Sequence, residues 1–198
     1  PKLDTEVFPH LMCMQARASM RTFNAQLAKV CPEDDSRFTI KKGPIKKPAR
    51  IAVKVNEYNV ENEGDLSKWP GICKVGDVLR VTICCVDGDA VFLAVQRIVE
   101  VFDLRDGNGR LKNMLGTRKH MPPRILINCV VRAANCTPIM AEIQVYLASI
   151  KYLADLQHRY YEIRRATSVD ALIAEASAPA KPAETADVKA PEPEVPGE

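Results

Sequence analysis

Hydrophobic and polar residues alternate with a period of two over residues 78–85, a pattern typical of a β-strand with one buried face. The apolar residues of this run would share one face, with Arg80 and Thr82 on the other. A second apolar run covers residues 90–102, and Asp87-Gly88 lies between the two. An Asp-Gly pair readily adopts the positive φ angles of a type I′ turn. The pattern therefore predicts a hairpin of two long strands.

Two other segments have the apolar spacing of amphipathic helices. In residues 10–30 the apolar positions recur every three or four residues, and Pro32 follows. The pair Thr137-Pro138 combines a good helix cap with a residue suited to the first helical position. An apolar stripe that starts at Ile139 and Ile143 follows it. We predict an N-terminal helix and a long C-terminal helix that runs from Thr137 to about residue 166.

Shorter apolar runs predict three further strands, at residues 37–41, 49–55 and 124–132. A basic loop rich in proline and glycine, residues 42–48, separates the first two. Together with the hairpin, these strands predict a small antiparallel β-barrel. The fold class expected is mixed but mainly β.

Composition divides the 198 residues further. From residue 178 onward the chain is mostly Ala, Pro, Glu and Lys, which cannot form a packed core. We predict an N-terminal helical extension (1–32), a barrel-like domain (33–134), a C-terminal helical segment (135–177) and an extended acidic tail (178–198). We expect neighbouring protein subunits to hold the helical segment and the tail.

Charge is distributed unevenly along the chain. Residues 175–198 hold six acids and two lysines, so the remainder has a net charge of +7 against +3 for the whole chain. Basic residues concentrate in two segments, 41–54 and 105–124, and an anionic partner such as RNA would fit them. A solvated lysine loop is the alternative for the first segment. The candidate RNA-binding residues are Lys41, Lys42, Lys46, Lys47, Arg50, Lys54, Arg105, Arg110, Lys112, Arg118 and Lys119.

The sequence lacks the common signatures of catalysis and metal binding. The seven cysteines are an odd number without a Cys-x-x-Cys pair, which favours reduced thiols over a zinc site or a disulfide scaffold. The common nucleotide-binding, hydrolase and metalloprotease motifs do not occur. We therefore predict a protein that is not an enzyme and has no cofactor and no metal. No apolar run approaches the roughly 20 residues that span a bilayer.

A resemblance to a known family lies around the predicted hairpin. Residues 74–81, Lys-Val-Gly-Asp-Val-Leu-Arg-Val, and residues 96–100, Gln-Arg-Ile-Val-Glu, resemble the last two barrel strands of the seventeenth protein of the small ribosomal subunit. Cys73 also matches a cysteine common in that family. The short Asp87-Gly88 turn departs from it, since the family has a basic connection there. The resemblance implies an OB-like antiparallel barrel that binds rRNA.

These observations lead to one expected function and two alternatives. We predict a structural constituent of a mitochondrial ribosome that contacts rRNA through its basic loops, located in the matrix or, alternatively, in the chloroplast stroma or cytosol. The first alternative is an accessory, non-catalytic subunit of a respiratory-chain or ATP synthase complex without RNA contact. The second is a small enzyme or ligand-binding barrel.

Overall fold

The computed structural model describes residues 2–61, 70–104, 110–116 and 122–165. The chain divides into one unit of residues Pro1–Asp155 and a second of Leu156–Glu198, of which the described part, 156–165, is helical. After a π-helical turn, Leu3–Val7, the elements are α1 (Phe8–Val30), β1 (Phe38–Lys42), α2 (Pro48–Glu61), a 3₁₀ turn (Gly71–Lys74), β2 (Leu79–Cys85), α3 (Gly88–Val101), β3 (Arg110–Asn113), β4 (Ile125–Val131), β5 (Ile139–Leu147) and α4 (Ala148–Arg165).

The five described strands form one mixed sheet in the order β1-β2-β5-β4-β3. β2 and β5 are parallel, and the other neighbouring pairs are antiparallel. Among the described strands, β1 and β3 lie at opposite edges and do not pair, so the sheet is open. The predicted small OB-like barrel and the mainly β fold class are therefore wrong. The fold is mixed α/β.

The core lies between one face of the sheet and the helices. Alternate residues of the central strands, such as Val81, Ile83 and Ile143, are fully buried on this face. Leu27 of α1 and Ile98 of α3 belong to the same core cluster. Burial of each such side chain contributes about 1.5–3 kcal/mol. Helices α1, α2 and α3 thus cover one face of the sheet and leave the polar residues on the other.

The predicted hairpin is wrong, because its first strand is present as β2 but the second apolar run is helix α3. The buried residues of α3 are Ala90, Val91, Ala94 and Ile98, which have helical spacing. The Asp87 carboxylate accepts a hydrogen bond from the amide of Ala90 at 2.7 Å. Asp87 is therefore a helix N-cap. Gly88 is the first helical residue and does not have a positive φ.

The remaining elements confirm some predictions and correct others. The helix predicted at 10–30 and the strands at 37–41 and 124–132 are present as α1, β1 and β4. The strand predicted at 49–55 is instead part of α2, whose buried residues Ile51 and Val55 are four positions apart. Residues 139–147, predicted as helix, form β5, and the predicted C-terminal helix begins only at Ala148.

A buried carboxylate connects the N-terminus to the chain just before β2. Asp4 is fully buried, and its two oxygens accept hydrogen bonds from the amides of Gly71 and Ile72 at 2.9 and 3.1 Å. These amides begin a 3₁₀ turn and would otherwise be buried without acceptors. The N-terminal turn therefore fixes the approach of the chain to β2.

The predicted domain division at residues 32, 134 and 177 stays a prediction, and the acidic tail of residues 178–198 lies outside the described residues. No helix within the described ranges is long and apolar enough to cross a membrane.

The helix cap provides a test of the corrected fold. Replacing Asp87 with Ala removes the side-chain acceptor for the Ala90 amide, and we expect a loss of about 0.5–2 kcal/mol in the free energy of unfolding. Gly88→Ala should be neutral or stabilising, because a Cβ atom there meets nothing within 4 Å and Ala is the better helix former. Urea denaturation followed by circular dichroism measures both. A large destabilisation by Gly88→Ala would instead indicate a turn with positive φ.

Candidate functional site

The polar residues of the central strands lie together on the face of the sheet opposite the core. The pairing register places Arg80 of β2 beside Glu142 of β5, and Glu142 beside Asn128 of β4. In the next polar row, Thr82 lies beside Gln144. Side chains on neighbouring strands in register project from the same face. We call Arg80, Thr82, Asn128, Glu142 and Gln144 the polar face.

Glu142 is the carboxylate of the polar face, and its neighbour two residues along the strand orients it. The side-chain amide of Gln144 donates a hydrogen bond to Glu142 Oε1 at 2.6 Å. Both residues are only partly buried, so the carboxylate is accessible. The arrangement presents an oriented anionic acceptor next to the cation of Arg80. Such a pair can bind a polar ligand and accept a proton from it.

The segment before α2 lies along the outer edge of β2 and shapes the space around Arg80. The amides of Gly43 and Lys46 donate hydrogen bonds to the carbonyls of Arg80 and Val78, at 3.1 and 3.3 Å. A Cβ atom on Gly43 would lie 2.7 Å from Arg80 Cγ and 3.0 Å from its Nε. Glycine is therefore needed at position 43 for the Arg80 side chain to keep its place.

Three charged side chains meet just before β2, at one end of the polar face. Asp77 Oδ2 lies 2.5 Å from Lys46 Nζ and 3.0 Å from Lys54 Nζ. The ammonium groups of Lys54 and Lys74 lie 5.8 and 5.9 Å from the ring centroid of Tyr58. We call Lys46, Lys54 and Asp77 the lysine–aspartate cluster. It carries two cations and one anion, an excess of positive charge that suits a phosphate group.

The electrostatics of the cluster follow from burial and from its charges. Burial opposes ionisation of Asp77, but the hydrogen bond and attraction of Lys46, together with Lys54, hold its pKa below the ordinary value. Burial lowers the pKa of Lys46 despite the bond to Asp77. Burial also acts against the charge of Lys54, yet the attraction of Asp77 raises its pKa. Asp77 is therefore a carboxylate at neutral pH.

A second group of charges lies at the far end of the sheet. Arg124 Nη1 donates a hydrogen bond to the hydroxyl of Tyr146 at 3.3 Å, and Lys151 lies 5.8 Å from the Tyr146 ring centroid. Lys151 and Lys41 both pair with Asp155. This group contains three cations and one carboxylate. The polar face thus lies between two basic ends.

The predicted RNA-binding residues that the structure describes do not lie on one surface. Lys46 and Lys54 meet at Asp77, while Lys47 and Arg50 are exposed near the start of α2. Lys41 and Lys42 are adjacent on β1 and so project from opposite faces of the sheet. The other candidates are Arg110 and Lys112 on β3, where nothing is described of the Arg110 side chain, and Arg105, Arg118 and Lys119, which lie outside the described residues.

Sequence reasoning missed the residues of the polar face. Arg80 and Thr82 were placed correctly on one face of a strand, but no function was assigned to them. Glu142 and Gln144 were assigned to a helix. They alternate, however, with residues that are buried in β5, namely Ala141, Ile143 and Val145. That alternation is the signal of a strand with one polar face, and it was present in the sequence.

The chain is similar in structure to small alarmone synthetase 1 from Bacillus subtilis, solved with its product pppGpp bound. The TM-score is 0.55 at 11% identity, over 84% of this chain and 88% of that chain. Small alarmone synthetase 2 from the same bacterium matches with a TM-score of 0.53 at 15% identity, over 83% and 91% of the two chains. No protein-family model and no curated protein matches the sequence. This chain has the fold of small alarmone synthetases.

This similarity overturns the resemblance drawn from residues 74–81 and 96–100. The ribosomal strands matched to residues 96–100 are β-structure, whereas here these residues belong to α3. The expected OB-fold ribosomal protein, the structural role in a ribosome and the non-catalytic accessory subunit are all wrong. The expectation that the protein is not an enzyme is also contradicted, since the proteins that share its fold are synthetases.

The lysine–aspartate cluster gives a pH-dependent test. Because the folded pKa of Asp77 is below its ordinary value of 3.8, the stability it contributes is present above that value and is lost as pH falls through the folded pKa. Asp77→Asn leaves two partly buried lysines uncompensated, so we expect a loss of roughly 1–3 kcal/mol in the free energy of unfolding at pH 7. The difference from wild type should shrink below about pH 4.

Urea denaturation at pH 7, 5 and 3 measures this difference. Asp34→Asn is the matched control, because it removes the same charge from an exposed position. An effect of Asp77→Asn that is equal at pH 7 and pH 3 would contradict an ionised Asp77 in the folded protein.

Proposed function

We propose that this chain is a nucleotide pyrophosphokinase that transfers a pyrophosphoryl group from a nucleoside triphosphate to a hydroxyl group of a guanosine nucleotide. The observation that carries the proposal is an accessible carboxylate, Glu142, between two basic ends of a sheet whose fold is shared with alarmone synthetases. Two substrates rich in phosphate need two groups of cations. The transfer between them needs a proton acceptor at the centre.

The proposed chemistry is an in-line displacement at phosphorus. The acceptor hydroxyl attacks the β-phosphorus of the triphosphate, the bond between the α,β-bridging oxygen and that phosphorus breaks, and a nucleoside monophosphate leaves. Glu142 accepts the hydroxyl proton, and Gln144 holds the carboxylate by the 2.6 Å hydrogen bond. The hydroxyl proton goes to Glu142, and the new bond at phosphorus replaces the bond to the departing monophosphate, so the step balances.

The cations near the polar face serve the phosphates. Arg80, which lies beside Glu142 in the sheet register, is placed to neutralise charge on the transferred group. Lys46 and Lys54 are placed to hold the remainder of the donor polyphosphate. Positioning and electrostatic stabilisation make up most of the catalysis in phosphoryl transfer, and this face supplies groups for both.

Nucleoside triphosphates are used with Mg²⁺, which proteins bind through one or two carboxylates together with the substrate phosphates. Glu142 is the carboxylate of the polar face and is assigned the hydroxyl proton, so the amide oxygens of Gln144 and Asn128 would hold the ion together with the substrate phosphates. No group of three or more His, Cys, Asp or Glu residues that could hold a metal by itself occurs in the described part of the chain. When bound, the ion would supply neutralisation of the phosphate charge.

The proposal is tested by activity. The full chain, incubated with ATP labelled at the γ-phosphate and with GDP or GTP, should yield AMP and a labelled guanosine nucleotide that carries two additional phosphates. Glu142→Gln should lower kcat by about 100-fold or more, the range for loss of a general base. Arg80→Ala should lower kcat/KM. Glu100→Gln and Arg21→Ala are matched controls, since both residues are exposed on helices outside the polar face.

Two results would contradict the proposal. The first is a folded wild-type chain that neither binds ATP, by isothermal titration calorimetry, nor forms the product. The second is a Glu142→Gln variant whose kcat equals that of the Glu100→Gln control.

A further inference from the structure

We propose that Asp77 is an internal competitor for phosphate: its carboxylate occupies the anion position between Lys46 and Lys54 and must release both lysines before a polyphosphate binds there. The inference rests on the proposed function, because it concerns the regulation of the donor side of the same site. It assigns Asp77 a role that limits affinity, in contrast to the lysines, which provide it.

The geometry of the cluster carries the first step of the argument. A single oxygen of Asp77, Oδ2, takes both lysines, at 2.5 and 3.0 Å. The other oxygen, Oδ1, is buried and has no hydrogen-bond partner among the described residues. A buried acceptor without a partner is costly, and native structures contain few of them. The carboxylate thus fills the anion position with only half of its bonding capacity.

A phosphate chain would use this position more fully. It brings several oxygens and more than one negative charge, whereas Asp77 brings one charge and one bonded oxygen. The electrostatic influence of Arg80 also reaches Lys46, so a third cation lies near the cluster. The cluster therefore keeps a net positive charge after Asp77 has bound both lysines.

The lysines can be reached, and Asp77 lies on backbone outside any helix or strand. The side chains of Lys46 and Lys54 are 14% and 30% exposed. Asp77 lies between the 3₁₀ turn that ends at Lys74 and strand β2, which begins at Leu79. A side chain on such a connection can leave its partners without the loss of a helix or a strand. Release of both lysines is thus compatible with the fold.

The experiment measures binding of inorganic pyrophosphate to the full chain by isothermal titration calorimetry, with no nucleotide and no turnover. Asp77→Asn should bind pyrophosphate at least about tenfold more tightly than wild type, because the competing charge is gone. Asp34→Asn, which loses the same charge at an exposed position, should bind as wild type does. Adding Lys46→Ala to Asp77→Asn should abolish the gain.

A second measurement uses the wild-type protein and so does not depend on the folding of a variant. The carboxyl carbons of aspartate are labelled with ¹³C, and the Asp77 signal is followed as pyrophosphate is added. Release of the lysines should shift this signal in proportion to the occupancy of pyrophosphate. The Asp34 signal should not change.

The outcomes separate this inference from the proposed function. Equal or weaker pyrophosphate binding by folded Asp77→Asn, or an Asp77 signal that is unchanged at saturation, overturns the inference while the proposed function stands. Absence of both pyrophosphate and ATP binding by the wild-type chain overturns both.

Discussion

The parallel pairing of β2 with β5 is the interaction on which the rest of the structure depends. Parallel strands cannot be joined by a tight turn and need a long crossover, and here that crossover contains α3, β3 and β4. The pairing sets Arg80 beside Glu142 and Thr82 beside Gln144. It also places β5 between β2 and β4, where all its backbone groups can be paired. A slip of one residue in this register would move the polar residues into the core.

The same pairing explains which elements the sequence could predict. α1, β1 and β4 were predictable because each has a pattern that fits one secondary structure and is bounded by clear breaks. Residues 139–147 fit both a helix and a strand. Ile139, Ile143 and Tyr146 have helical spacing, whereas the alternation of a strand is followed by Ile139, Ala141, Ile143 and Val145. The partners that decide between these patterns are β2 and β4, which are distant in the sequence. Asp87-Gly88 is ambiguous in the same way, because Asp serves a turn and a helix cap equally well.

The sequence could predict cations that belong to the candidate site, but it could not predict how the residues of the site are arranged. Lys46 and Lys54 were among the residues expected to bind phosphate, but as part of an RNA surface. Lysine neutralises a phosphate by the same chemistry whether that phosphate belongs to a nucleic acid or to a nucleotide. A nucleotide site differs from an RNA-binding surface because it also has an accessible carboxylate near its cations. On an RNA-binding surface the phosphates of the RNA would repel such a carboxylate. Asp77 approaches Lys46 and Lys54, and Glu142 approaches Arg80, only when distant parts of the chain are assembled.

The burial of the thiols gives the protein one preferred point of chemical attachment. All seven cysteines are free, and burial raises the pKa of Cys31 to about 11 and those of Cys85 and Cys129 to about 12. Thiol reagents attack the thiolate, so these cysteines are protected at neutral pH. Cys73 is the exposed one, and it directly precedes Lys74, whose ammonium group lies over the Tyr58 ring beside Lys54. A fluorophore carried by a maleimide would therefore attach first next to the lysine–aspartate cluster, where its emission reports on the local charge without any engineered residue.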